Sequence, residues 1–302
     1  MALNDNIKGA LLMASAMASF TISDAMIKLV TGDLTTGQIM FIRGVMTSTM
    51  ILAVAWRLDA LRPPSLVFNR WIALRSIAEV VAAITYIYAL SMIPLPNAAA
   101  ILQALPLVVT MGAALFLDEA VGWRRWLAIA VGFVGVMIII RPGAEGFSAA
   151  SVLVVGSVLA AATRDLATKK IDSALPSLMV SATAAISVTA AGGLMTLAPG
   201  GWRPVSMPNF AALAFGAVLL FGAYQTLIMA MRTGEISFIA PFRYTSLLWA
   251  IALGILLLSE MPDTWMLIGS AIVVTAGLYA FYRETVVQRR RPAEIENNLT
   301  VS

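Results

Sequence analysis

Cysteine and histidine are both absent from this chain of 302 residues, and charged residues make up only 12% of it. Without cysteine there is no disulfide and no thiolate metal site. Without histidine the side chain most used for proton relay near neutral pH is missing, so any proton coupling falls to Asp or Glu. There is also no phosphate-binding loop of the Gly-Lys-Ser/Thr type. An intramembrane enzyme is left with Asp, Glu, Ser or Lys alone, and none is expected. No cofactor, metal or nucleic-acid partner is expected either, because the formal net charge of +4 comes from loop arginines.

What the chain does contain is apolar. Its hydrophobic share is 60%, above the roughly 45 to 50% of soluble domains. At about 20 apolar residues per helical span, there is room for some ten spans and for no sizeable soluble domain. Apolar runs bounded by charges, Pro or Gly place helices at 7–31, 36–56, 71–92, 96–117, 123–140, 148–169, 176–198, 209–231, 236–258 and 264–282. The chain therefore reads as an all-α polytopic membrane protein. Lys8 ahead of an apolar run and Ala14-Ser15-Ala16 resemble a cleavable leader, but the run from Gly9 to Met13 is too short and apolar character continues to Val30.

Lysine and arginine set the orientation. One side collects Lys8, Arg57, Arg62, Arg70, Arg124, Arg125, Lys169, Lys170, Arg232, Arg283, Arg289, Arg290 and Arg291; the other has Lys28, Arg141 and Arg203. Both termini are accordingly expected in the cytoplasm. Trp56, Trp71, Trp123, Trp126, Trp202 and Trp265 lie at span ends, as an interfacial belt requires, while Trp249 lies mid-span and is read as packing or lipid-facing. The longest loops, around Arg57 to Arg70 and Pro199 to Pro208, contain proline and fall in matching positions. The tail at 284–302 is read as cytoplasmic and disordered, with its Asn298-Leu299-Thr300 sequon a chance match.

The chain repeats itself. Asp24 and Lys28 return as Asp165 and Lys169, 141 residues on in each case (165 − 24 and 169 − 28), and Glu119 returns as Glu260 at the same offset. Five spans per half is an odd number, so the second half must lie upside down in the bilayer, related to the first by a two-fold axis in the membrane plane. Such inverted repeats are the usual basis of alternating access around a midplane site.

Several residues carry a family resemblance: Tyr88-Ala89-Leu90 followed by Ile93-Pro94-Leu95 and an Ala-rich helix, Pro106, the helix-ending Glu119 and Glu260, and Arg125-Trp126-Leu127 leading to Gly132-Phe133-Val134-Gly135 and Arg141-Pro142-Gly143. In these the chain resembles the drug/metabolite transporter superfamily, in its ten-helix branch of two EamA repeats, and looks like the amino-acid (aromatic amino-acid) exporter branch. The repeats would occupy 7–141 and 148–283. Many members have Gly before the helix-ending Glu, where this chain has Asp118 and Ser259. The resemblance implies a multi-pass protein of the bacterial inner membrane with a central cavity between the halves, lined mainly by the first, third, fourth, sixth, eighth and ninth helices.

A charge facing lipid at mid-bilayer costs about 2.5 to 3.5 kcal/mol, so the in-span charges Asp24, Arg43, Arg75, Glu79, Arg164, Asp165 and Arg243 mark a cavity or structural pairs. On the third helix Arg75, Glu79, Ala82 and Tyr86 share one face. As a cavity wall this stripe offers Glu79 for an ammonium or a proton and Tyr86 as a flat surface with a hydroxyl; as a seam, Arg75 and Glu79 pair at (i, i+4). Pro106 and Pro241 permit kinks in the fourth and ninth helices, where Gln103 and Tyr244 correspond at the 141 offset and are expected to enter the cavity from opposite halves. On the eighth helix Tyr224 or Gln225 reaches inside. Gly132, Gly135, Gly269 and Gly277 suit close helix packing within the chain, and both a monomer and a homodimer remain open.

The expected function is secondary transport of a small organic metabolite, with export of neutral, aromatic or hydrophobic amino acids first. Arg43 or Arg243 would hold the carboxylate and Glu79 the amine; Glu79, Tyr86, Gln103, Tyr224, Arg243 and Tyr244 form the candidate binding set. Uptake of a larger metabolite such as riboflavin or S-adenosylmethionine is the second reading and a channel-like facilitator the third. Gating is assigned to Asp24 and Arg43 outside, and to Arg75, Arg164, Asp165 and Arg243 inside.

Overall fold

The computed structural model of the chain describes residues 2–59, 63, 69–143, 148–172, 175–233 and 235–300, with side chains at 4–59, 63, 69–143, 148–172, 175–233, 235 and 238–283. Its helices are α1 (Ala2–Val30), α2 (Thr36–Arg57), α3 (Arg70–Leu90), α4 (Leu95–Leu102), α5 (Leu105–Phe116), α6 (Trp123–Ile140), α7 (Ala149–Lys169), α8 (Ser177–Thr196), α9 (Met207–Thr233), α10 (Ile236–Ile239), α11 (Thr245–Leu258) and α12 (Thr264–Thr300). A 3-10 turn, Ala240–Tyr244, joins α10 to α11. Ten of the resulting segments are long and apolar enough to span a bilayer; α4 with α5 forms the fourth, and the stretch from Ala240 to Leu258 the ninth. No strand occurs among the described residues. Much of the 57–70 loop and the side chains of the tail lie outside the described set; the backbone of α12 is helical through Thr300.

Local chemistry explains where helices begin. Thr35 accepts from the Gln38 amide while the Gln38 side chain accepts from the Thr35 amide, a reciprocal capping box that starts α2. Asn69 and Ser148 accept from backbone amides at the starts of α3 and α7. The fourth span breaks at Gln103–Ala104 because Pro106 has no N–H for the Leu102 carbonyl, and Pro241 disturbs the ninth within the 3-10 turn.

Helix pairing follows the two-fold relation. The most extensive contacts are α1 with α9, α3 with α7, α2 with α8, and α6 with α12. Exchanging the halves turns the first pair into the second and leaves the other two unchanged. Residues that meet their own repeat equivalents lie on the axis: Ser48 and Thr189 hydroxyls are 3.2 Å apart and 141 residues apart, and Gln103 Nε2 donates to the Tyr244 carbonyl, also 141 residues away. In lipid there is little hydrophobic drive between apolar helices, so close packing of small residues takes over. At the α6–α12 contact a Cβ on Gly135 would lie 2.8 Å from the Gly269 carbonyl oxygen, so both glycines serve packing within the chain.

Two bundles emerge, each drawing helices from both halves: α1, α9 and α11 on one side, and α3, α5 and α7 on the other. The tryptophans keep to the periphery. Trp249, the one tryptophan at mid-span, is 42% exposed.

Candidate substrate path between the two bundles

Between the bundles lies a chain of polar side chains. The Tyr86 hydroxyl of α3 donates to Asp24 Oδ2 of α1 at 3.0 Å. Arg43 of α2 is within electrostatic range of Asp24, Tyr224, Tyr86 and Glu79. Tyr224 of α9 in turn faces Glu79, Arg164, Arg43 and Arg75, and its ring packs edge-on against Phe20 at 5.1 Å. It is nonetheless 39% exposed. Charged groups of α2, α3 and α7 all lie within electrostatic range of its hydroxyl, so Tyr224 faces the gap between the bundles.

On the cytoplasmic side of this gap Arg164 Nη1 of α7 reaches Glu79 Oε1 at 3.3 Å and Oε2 at 3.5 Å, while its Nε donates to Asp165 Oδ1 at 2.8 Å. Arg75 donates to Thr168 Oγ1 at 3.1 Å and to the Val180 carbonyl at 3.4 Å. Glu79 therefore pairs across the α3–α7 seam and not with Arg75 one turn away on its own helix. A cross-helix guanidinium satisfies the carboxylate without bending either side chain along the helix axis.

Arg43 and Arg243 differ from the other arginines. Among the described residues neither guanidinium takes part in a hydrogen bond or in an ion pair within 4 Å; the Arg243 side chain lies in electrostatic range of Asp165 and Arg164. The path holds four arginines (43, 75, 164, 243) against three carboxylates (24, 79, 165), and the two unengaged groups are both cations. The expected outer latch of Asp24 with Arg43 takes the form of electrostatic proximity, since Asp24 is hydrogen-bonded to Tyr86 instead.

The two residues at the helix breaks serve the fold. Gln103 Nε2 donates to Ser246 Oγ at 2.8 Å as well as to the Tyr244 carbonyl, so it ties the two interrupted spans together at their breaks. Tyr244 is buried, and its hydroxyl lies against Gly277 of α12, where a Cβ would collide with it. Its ring thus points away from the path; only its backbone faces Gln103.

Four residues that the sequence showed only as repeat markers form two equivalent ion pairs. Lys28 Nζ of α1 is 3.3 Å from Glu260 Oε1, and Lys169 Nζ of α7 is 2.8 Å from Glu119 Oε1. Exchanging the halves turns Lys28 into Lys169 and Glu260 into Glu119, 141 residues apart in each case, so one ion pair becomes the other. The signal was the shared offset itself, which placed these residues at corresponding helix ends without saying which of them meet.

The family model described as "EamA-like transporter family" matches residues 7–141. A riboflavin transporter of Vibrio cholerae is 31% identical over 222 residues, covering 73% of this chain and 74% of the relative. An S-adenosylmethionine uptake transporter of Rickettsia bellii is 30% identical over 209 residues, covering 66% and 68%. A pseudopaline exporter of Pseudomonas aeruginosa is 24% identical over 278 residues, covering 89% and 94%. A solved crystal structure at 19% identity shares the fold with a TM-score of 0.61 over 93% of this chain and 98% of that one. The ten apolar helices and these bacterial relatives make the protein a multi-pass transporter of the inner membrane that moves a small metabolite. The chain belongs to the EamA-like transporter family, within the drug/metabolite transporter superfamily.

Proposed function

We propose that this protein is a secondary carrier for a metabolite that joins a carboxylate to an aromatic or apolar body, moved by alternating access around the cavity between the two bundles. The observation that carries this reading is the pair of unengaged cations, Arg43 and Arg243, in a path where every carboxylate already has a hydroxyl or guanidinium beside it. An anionic group on the substrate supplies what those arginines lack. Phe20, Tyr86 and Tyr224 supply the apolar and aromatic surface. Glu79 is held by Arg164, so it serves an ammonium group only if that ion pair opens. Neutral and aromatic amino acids, exported from the cytoplasm, fit this description.

The names of the relatives favour a second reading, uptake of a larger metabolite. S-adenosylmethionine carries an amino-acid carboxylate and so satisfies the same arginines; riboflavin does not. Counterflow in proteoliposomes separates these cases. Loaded with phenylalanine, methionine, S-adenosylmethionine or riboflavin in turn, vesicles containing the purified protein are expected to exchange a carboxylate-bearing substrate with saturation and trans-stimulation. Exchange of riboflavin alone contradicts the carboxylate reading, and linear, unsaturable flux points to a facilitator.

A further inference from the structure

The two repeat-related ion pairs are chemically alike and differ in surroundings. At the outer face, Lys28 and Glu260 are each 15% exposed. Lys28 Nζ also donates to the Leu90 and Ile93 carbonyls at 2.8 Å each, and Glu260 Oε2 accepts from the Leu95 amide at 2.7 Å. Those three backbone groups form the corner between α3 and α4, which belongs to the opposite bundle. At the cytoplasmic face, Lys169 and Glu119 are 47% and 48% exposed.

We infer that each Lys–Glu pair is a clamp: it holds together two helices of its own bundle and, when its face of the protein is closed, grips the helix corner of the other bundle. The outer clamp is engaged here, with three hydrogen bonds to the corner at Leu90–Leu95. The cytoplasmic pair is half-exposed, and among the described residues its two side chains have only each other as partners. By the 141 offset its counterpart corner follows α9, at Met231 and Ile236, the equivalents of Leu90 and Leu95.

The chemistry suits a reversible grip. A corner between two helices exposes carbonyls at the end of the first and amides at the start of the second, none of which has a partner within its own helix. A lysine and a glutamate side by side satisfy both kinds at once, the ammonium taking carbonyls and the carboxylate taking an amide. Because the ion pair joins helices of a single bundle, it survives the rocking motion; only the bonds to the corner need break. When the outer face opens, water replaces the protein groups at Leu90, Ile93 and Leu95, and the two-fold-related set forms at the other face. Both pairs are positioning residues for the transport step and need no contact with substrate. The inference rests on geometry at the rims and stands whatever the substrate is.

Distances between spin labels test it directly, and the absence of native cysteine makes doubly labelled protein simple to prepare. One pair of labels, at Met92 and Met261, reports the outer face; a second, at Lys170 and Arg232, reports the cytoplasmic face; all four positions are exposed. Glu260→Gln is expected to lengthen the outer distance and shorten the cytoplasmic one. The population ratio should move by on the order of tenfold for the charge-assisted bonds lost. Lys28→Met reads the same step from the other partner, and Lys28→Arg, which keeps charge and donors, is expected to retain the parent distribution. Glu119→Gln is expected to move both distances in the opposite sense. Changes of the same sign from Glu260→Gln and Glu119→Gln, or no change from either, overturn the inference. Counterflow in the same preparations falls in both variants if the clamps act on the transport step, whichever metabolite is used.

Discussion

The two bundles are built on one pattern and filled with opposite chemistry. In the bundle of α1, α9 and α11, Ser23 Oγ donates to the Gly216 carbonyl at 2.9 Å, and a Cβ on Gly216 would sit 3.3 Å from Met26 Cβ. That seam is dry and close. The equivalent positions in the bundle of α3, α5 and α7 are Arg164 and Arg75 (23 and 216 shifted by 141 in opposite directions), with Glu79 and Asp165 beside them. The repeat has kept the backbone arrangement and let the side chains diverge. Duplication supplies two equivalent gates; divergence gives the single cavity a direction, with its charge gathered toward the cytoplasmic half.

The outer face is joined at its loops as well. Thr35 Oγ1 donates to the Gly201 carbonyl at 2.8 Å, Gln38 Nε2 to the Arg203 carbonyl at 2.7 Å, and Asn209 Nδ2 to Asp33 Oδ2 at 2.9 Å. Arg141 meets Asp263 at 2.8 Å on the same face. These bonds join the first half of the chain to the second, so the outer side is stitched along its rim as well as clamped at its corner.

Removing the polar member of each seam gives the sharpest test of this contrast. Glu79→Ala leaves Arg75 and Arg164 facing each other with Asp165 as the nearby counter-charge. Glu79 and Arg164 are 20% and 23% exposed, enough burial for the loss to cost about 2 to 3 kcal/mol. Ser23→Ala removes one neutral hydrogen bond from the dry seam and is expected to cost about 1 kcal/mol. Thermal unfolding in detergent compares the two; equal shifts would mean that the seams do not differ in kind.

The architecture was readable in the sequence because hydropathy and proline act locally. Span limits, the break near Pro106 and Pro241, and the 141-residue offset all survive in the structure within a few residues. The partners of individual side chains were not readable, since periodicity gives the face of a helix but not the neighbour that face meets. For Glu79 periodicity offers a cavity wall or, as a packing seam, Arg75 on its own helix; in the structure it pairs with Arg164 across the α3–α7 seam. Tyr244 corresponds to Gln103, yet its ring turns toward Gly277 while its carbonyl receives Gln103. The residues most informative about gating, Lys28 and Glu260, stood in plain view as a repeat signature, and only the crossing of α1 with α11 brings them together.

Steric fit at the outer corner gives a smaller, directional effect. A Cβ on Gly254 of α11 would lie 2.6 Å from Pro96 Cγ of α4, a contact between the two bundles that proline cannot relieve by rotating. The repeat equivalent of Gly254 is Ala113, which already carries that methyl group. Gly254→Ala is expected to cost about 1 to 2 kcal/mol in the outer-closed state. Because the cost falls on that state alone, the outer label distance should lengthen while overall unfolding changes less. A shortened or unchanged outer distance would show that the corner is not a moving contact.

The smallest expected effect lies in the turns that aim the two glutamates. Asp118 and Ser259 are repeat equivalents with φ of 53° and 55°, and each is followed by a glutamate amide that donates back six residues, Glu119 to the Ala113 carbonyl at 3.3 Å and Glu260 to the Gly254 carbonyl at 2.7 Å. This is the glycine-favouring end of a helix, which explains why glycine commonly precedes the glutamate in the resembling family. An ordinary L-residue in the left-handed region costs about 1 to 2 kcal/mol, and glycine's extra freedom in the unfolded chain returns roughly 0.5 to 1 kcal/mol of that gain. Ser259→Gly is therefore expected to stabilise by less than about 1 kcal/mol, and Asp118→Gly by less again, since aspartate tolerates this conformation better than serine. Paired melting curves for the two variants measure whether the turns, alike in backbone, differ only by the strain of their side chains; a loss of stability at Ser259→Gly would show that the serine itself holds the outer turn in place.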